Sequence, residues 1–174
     1  MTHDQDSDAS NGVAMSIYFT GLEPVVDLVA AASLVVNGTN DDNAINYSAG
    51  TVATNGLVSV DGFETIEFSN KSTLTINARS GSDRISLNNA ATPTGLTGDA
   101  DGNAANGVNP ILINGGDPTA GTDTVVISGR AGAADTVTFA PTSNQAATIA
   151  GAGPVAVALA GVEEAMLDGQ GGTT

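Results

Sequence analysis

The chain has no cysteine and no tryptophan. Disulfides, thiolate nucleophiles and zinc–thiolate sites are therefore excluded. Only four Phe and two Tyr serve 174 residues, too few large rings for a broad core. The interior must be built from Ala, Val, Ile and Leu, which suit a narrow one. Positive charge is scarce too: four Lys or Arg stand against nineteen Asp or Glu, for a net charge of −15 and a pI near 4.1. Nucleic acid and anionic membrane surfaces are poor partners for such a chain, because both require cationic side chains to displace counterions. The single histidine, His3, lies in the acidic start MTHDQDSDAS, so no Ser-His-Asp machine and no histidine metal site can be assembled. The most apolar run, Val25 to Val36, is short and broken by Asp27, which argues against a membrane-crossing helix and membrane insertion.

What the chain does contain is glycine, 22 of them, together with abundant Thr, Asn and Ser. These residues mark frequent turns, and short alternating apolar runs lie between them, so the expected class is all-β. A recurring pattern organises the runs. GLEPVVDL (21–28) and LVVNGTNDDNAINY (34–47) are followed by GFETIEF (62–68) and LTINARSGSDRISL (74–87). A third version, ILINGGDPTAGTDTVVI (111–127), precedes a closing GVEEAML (161–167). Asn37, Asn77 and Asn114 recur at one point of the pattern, and Asp42, Asp83 and Asp123 at another. A period near forty residues is the mark of stacked repeats.

The expected architecture is a parallel β-solenoid, a β-helix of stacked coils enclosing a slim aliphatic interior, in which Val36, Ile76 and Ile113 share a column. Strands are expected near 16–20, 25–28, 33–37, 44–47, 57–60, 64–68, 73–77, 84–88, 111–114, 123–128, 135–139, 147–150, 155–159 and 163–168. Coils of about twenty residues at strand spacings of about 4.8 Å predict about eight coils and a rod of about 35–40 Å. A β-sandwich is the alternative, because Asn55-Gly56 and Asp61-Gly62 are hairpin-turn dipeptides. A helix over 25–33 is a lesser alternative on propensity. Residues 1–14 read as a disordered tail, 15–169 as one repeat domain with a polar loop insertion at 89–110, and 170–174 as a flexible end.

Candidate chemistry lies in acidic turns. Asp42, Asp83, Asp123 and Asp135 each end a small-residue turn just before a strand. Carboxylates facing each other across about 4.8 Å repel by roughly 3 kcal/mol at an effective dielectric near 20. Calcium, which takes oxygen ligands from turns, would relieve this; hydrogen bonds from the Asp residue's own turn would do so without a metal. Asp99 and Asp101, with Asn103, begin like a calcium loop, but Ala104 and Pro110 occupy the positions where an EF-hand needs Gly and Glu. An irregular calcium site is the reading left there. Glu23, Glu64 and Glu163 occupy matching places, which suggests a repeated structural task such as binding turn amides. Adjacent pairs such as Asp41-Asp42 point to opposite strand faces, so neither they nor Glu163-Glu164 form a glycosidase dyad.

The segments VNGTNDDNAI, INARSGSDRISL and GGDPTAGTDTVVISGRAGAADTVTF, with LAGVEEAML, resemble the repeat regions of large bacterial surface and secreted proteins, which run GVExLxVxG and then GxDxVxV. The similarity spans most of residues 19–169. A more distant likeness is to the calcium-binding nonapeptide repeats of secreted toxins (RTX-type), carried by Gly115-Gly116, Gly121 and Asp123; no tandem row of nonapeptides is present. The resemblance implies an extracellular or cell-surface structural or adhesive module, adhesin-like, with export encoded outside this chain or by a signal that is not cleaved from its start. The expected function is non-enzymatic. Its partners are other copies of the chain, neighbouring repeats or surface glycans, with end-to-end assembly into filaments. A carbohydrate-binding β-sandwich is one alternative. A polysaccharide lyase built around Asp83, Arg84 and Arg79 is the other.

Overall fold

A computed structural model describes residues 24–88, 92–97, 109–116, 121–152 and 155–171. The described residues hold thirteen strands and no helix. The fold is all-β, a parallel β-solenoid of about three turns. Four strand–corner–strand units form the stack: β2 (Ala31–Asn37) with β3 (Ala44–Ala49), β6 (Lys71–Asn77) with β7 (Arg84–Leu87), β8 (Ile111–Asn114) with β9 (Thr124–Ser128), and β12 (Val157–Ala160) with β13 (Glu164–Asp168). The first strands pair in parallel as β2-β6-β8-β12 and the second strands as β3-β7-β9-β13. Two sheets face one another across the interior.

Strand alternation decides what lies between them, since every second side chain turns inward. In one sheet Val36, Ile76, Ile113 and Leu159 form a single buried column, with Leu34, Leu74, Ile111 and Val157 beside it. In the other, Ile45, Ile85, Val125 and Ala165 make one column, and Tyr47, Leu87, Ile127 and Leu167 the next. Each fully buried branched side chain stabilises the stack by about 1.5–3 kcal/mol. The interior needs no large ring along its length because each coil covers the aliphatic groups of the one before.

The coils are fewer and longer than their expected twenty residues. Part of the first and third periods is spent on strands that extend the sheets rather than on the stack. Past β3, the first sheet continues through antiparallel β4 (Gly56–Val60), then β5 (Ile66–Phe68) and parallel β1 (Val25–Asp27), for seven strands. Past β12, the second continues through antiparallel β11 (Ala146–Ala150) and β10 (Thr138–Ser143), for six. From the first unit to the fourth the stack therefore rises only about 14 Å. Asn55-Gly56 and Asp61-Gly62 are hairpin signals after all, one on each side of β4. They serve the solenoid's extension and not a sandwich. At Gly56 a Cβ would lie 2.7 Å from the Phe68 ring and 3.0 Å from that of Tyr47. Glycine is required there so that these two rings, 6.3 Å apart between centroids, can close the interior.

Other expectations shift locally. The segment 25–33 is β1 and the start of β2, so tertiary pairing overrides its helix propensity. The strand expected at 135–139 begins at Thr138 and runs through Pro141, because Asp135 is held in a turn by Arg130; Pro141 is tolerated in this edge strand. Within the expected insertion, Leu96 is buried in the core and Thr94 bonds through its backbone to Asn70 and Thr54. The strand expected at 16–20 and the tail 1–14 lie outside the described residues.

Lys71, the first residue of β6, is 2% exposed. Its ammonium donates to the Asp27 carboxylate at 3.0 Å, to the Ser69 carbonyl at 3.2 Å and to the Val29 carbonyl. This cage fastens the chain between β1 and β2 to the start of the second unit. Lys71→Met is expected to lower unfolding free energy by about 1–3 kcal/mol, since it leaves the Val29 and Ser69 carbonyls without this donor and the Asp27 carboxylate with only the Val29 N–H; urea titration followed by circular dichroism measures it.

Candidate functional site

At each corner the chain leaves one sheet and enters the other, so backbone N–H groups lose their ladder partners. A buried amide left in that state costs about 1–3 kcal/mol. The protein meets this need with side chains from the next unit. The Asn43 N–H donates to Asp83 Oδ1 at 2.7 Å, the Asp83 N–H to Asp123 Oδ1 at 2.9 Å, and the Asp123 N–H to Glu163 Oε2 at 2.8 Å. Every bond in this series joins residues forty positions apart. Backbone carbonyls continue the ladder beside it, the Arg84 N–H donating to Asn43 O and that of Thr124 to Asp83 O.

The residue types follow from the position of each unit. Among the described residues the first unit has no predecessor whose amide needs an acceptor, and it carries an amide, Asn43, in place of an acid. Asn43 instead closes its own corner, accepting from the Thr39 N–H at 2.7 Å and donating to Asp61 Oδ2 at 2.7 Å. The last unit has a short corner, and the longer Glu163 spans it, with Gln145 donating to its other oxygen at 2.9 Å. Gly115 leaves room for the ladder: a Cβ there would sit 2.6 Å from Asp123 Oδ2 and 1.9 Å from the Gly161 carbonyl oxygen.

A second ladder runs on the other side of the corner. Asn77 Nδ2 donates to Asn37 Oδ1 at 2.9 Å and Asn114 Nδ2 to Asn77 Oδ1 at 2.7 Å. The three asparagines that recur in the sequence are thus stacked. Amide side chains suit this column because each is donor and acceptor at once.

The acidic residues singled out in the sequence separate into different environments. Asp83 and Asp123 belong to one ladder and are each 1% exposed. Asp42 does not share their column; it lies one residue out of register, exposed, and accepts from the Ser82 N–H at 2.8 Å. Asp135 sits in a separate turn and accepts from Arg130 N and Nε at 2.9 Å each. Asp99 and Asp101 lie outside the described residues. Glu64 is exposed before β5, whereas Glu163 is in the corner ladder; Glu23 is outside the described residues. Among the described residues, no three acidic or histidine side chains converge as a metal-ligand group. The sequence clue that was passed over is the strict spacing of positions 43, 83, 123 and 163.

Two features make a charge at the corner costly. Asp83 Oδ2 is buried with no hydrogen-bond partner. Burial pushes the Asp83 carboxyl above its ordinary value, opposed by the bond from Asn43 and reinforced by Asp123, Asp42 and Asp61. Burial raises Asp123 as well, opposed by the bond from Asp83, with Glu163 adding to the rise. Elsewhere, Glu67 is held low by the Asn55 amide and the Thr51 hydroxyl, which together with the Val52 N–H close the β3–β4 loop around it. Arg130 holds Asp135 low.

Comparison with family models, curated proteins and solved structures gives no match for this chain.

The pH dependence of stability follows from these directions. Asp83 and Asp123 hold protons more tightly when folded than when unfolded, so their contribution grows as pH falls through their folded values toward 3.8. Glu67 and Asp135 act oppositely, and what they contribute is lost as pH falls through their depressed folded values, below 4.5 and 3.8 respectively. Thermal melts are expected to show Tm rising from neutral pH to a mildly acidic maximum and then falling. Asp83→Asn is expected to flatten the rising limb, read by the same melts.

Proposed function

We propose that the protein is a non-enzymatic structural or adhesive repeat module that works outside the cell, joined to other copies or neighbouring repeats, with surface glycans as a further class of contact. The observation that carries this reading is the use made of its acidic side chains. In a hydrolase or lyase, carboxylates and cations converge on an open cleft where substrate can reach them. Here Asp83, Asp123 and Glu163 accept backbone amides of the neighbouring unit, and Asp135 is occupied by Arg130. Three of these carboxylates hold coil to coil, and the fourth holds its own turn.

The lyase alternative needs Asp83 and Arg84 together beside a sugar chain. Asp83 is turned into the corner and buried, while its neighbour Arg84 is exposed. That separation favours the structural reading. An extracellular setting is compatible with the strong negative charge, which keeps the surface soluble.

Calcium has a place in this proposal as a ligand of corner oxygens left over by the ladders, chiefly those of exposed Asp42. Such a site would be completed by turn carbonyls and water, in keeping with calcium's oxygen-rich coordination.

Incubation with polygalacturonate or alginate is expected to give no rise in absorbance near 232 nm, roughly where unsaturated uronates absorb; a rise overturns the non-enzymatic reading. Calorimetric titration with calcium is expected to release or absorb heat, and EDTA to lower Tm. Silence in both measurements removes calcium and leaves the protein's own donors as the compensation for the corner charge.

A further inference from the structure

We infer that units join head to tail by adding strand β1 of one copy to strand β13 of the next in parallel, with Val26 opposite Met166; this rests on the structural-module reading and specifies its contact. Among the described residues, β1 pairs only with β5 and β13 only with β9, so each presents one unpaired edge at opposite ends of the same sheet. Such edges are templates for another strand.

Strand direction selects the mode of joining. β1 is parallel to β5, β5 is antiparallel to β4, and β4 is antiparallel to β3. β3 is in turn parallel to β7, β9 and β13. β1 and β13 therefore run the same way. A simple translation along the stack brings them together in parallel, whereas a two-fold, head-to-head contact would set β1 against β1 in opposite directions.

The register is already written in the chain. GFETIEF (62–68) and GVEEAML (161–167) share the pattern that contains β5 and β13. β5 pairs with β1 so that Ile66 faces Val25 and Glu67 faces Val26. Placing β13 on the same pattern puts Ala165 beside Val25 and Met166 beside Val26. Ala165 continues the inward column of Ile45, Ile85 and Val125, while Val25 continues that of Tyr47, Val58 and Ile66. This register thus joins inward face to inward face; a slip of one residue would turn every side chain to the wrong side.

Both edges carry the apolar surface that such a contact would cover. Val26 is 60% and Met166 44% exposed, and Leu28, Val29 and Leu167 are exposed beside them. Leu167 also lines a cleft at the β13 end with Ile127, Val137 and Ala152, where the interior opens outward. The other sheet is not the adhesive one. Its edge strand β10 contains Pro141, next to a register shift in its pairing with β11, and both features blunt an edge. The sheets nevertheless interlock, since three strands project on one sheet at the β1 end and two on the other at the β13 end. The opposing force is charge: a net −15 on each copy makes association weak at low salt.

The absence of native cysteine makes disulfide mapping clean. Val26→Cys and a size-tagged Met166→Cys chain, each checked for an unchanged melting curve, are mixed at about 1 M NaCl, where the Debye length is about 3 Å, and oxidised. Opposed parallel strands place the two Cα atoms about 4.8 Å apart, within disulfide range. The expected product is the mixed dimer in about tenfold excess over either same-site dimer. The doubly substituted chain is expected to give a ladder of linear oligomers. A dominant Val26→Cys homodimer shows a head-to-head contact and overturns the inference, as do equal yields of all three dimers. Sedimentation showing a monomer at every salt and concentration also overturns it, while the structural reading stands or falls separately on the uronate assay.

Discussion

The stack depends on satisfying the backbone where it turns. Between paired strands, backbone N–H groups find carbonyls in the neighbouring strand without help from any side chain. At the corner that supply fails, and the protein draws an acceptor from forty residues later in the chain. Asp83, Asp123 and Glu163 fill that role, while Asn37, Asn77 and Asn114 tie the units side chain to side chain on the approach to the corner. The composition follows. A solenoid of this kind needs acceptors at its corners, and a carboxylate offers two oxygens that only accept, so that Glu163 takes the Asp123 N–H on one and the Gln145 amide on the other.

That solution has a cost, because it stacks like charges in a buried place. Asp83 and Asp123 hold their protons more tightly than free carboxyls do, which places some of the stability under the control of pH. Lys71 shows the converse arrangement, a buried cation surrounded by carbonyls and one carboxylate. Both sites act as fasteners between segments distant in sequence, and the strand stack between them is left to aliphatic packing. Closure of the interior is handled differently, by Tyr47 and Phe68 packed on Gly56. Among the described residues these two are the buried rings, and elsewhere the interior is filled by aliphatic side chains.

Much of this was legible from the residues alone. Alternation placed nearly every described strand, and the period put Val36, Ile76 and Ile113 in one column. Fixed spacing also marked the asparagine ladder. What went astray did so for identifiable reasons. Asp42 was aligned with Asp83 because it is the same amino acid, although Asn43 is the residue in register; matching by residue type overrode matching by distance along the chain. Glu163 does bind a corner amide as expected, but its grouping with Glu23 and Glu64 by local motif did not point to Asp123 as the partner, a contact that no local motif reports. The burial of Lys71 has no signal in the sequence, because most of its acceptors are backbone carbonyls, which every residue has and no sequence pattern advertises. The number of coils was overestimated because Asn55-Gly56 and Asp61-Gly62 were weighed as evidence for another fold and not as hairpins within this one.

The sequence by itself determined the class, the repeat and the composition of the core: period-two alternation sets which side chains share a face, a forty-residue period sets which strands are neighbours, and the lack of rings limits the width between sheets. Only the tertiary structure decided which carboxylates are buried, which amides they serve and which strand edges stay open. Those properties depend on register to within a single residue, and a shift of one position exchanges the inside of a strand for its outside.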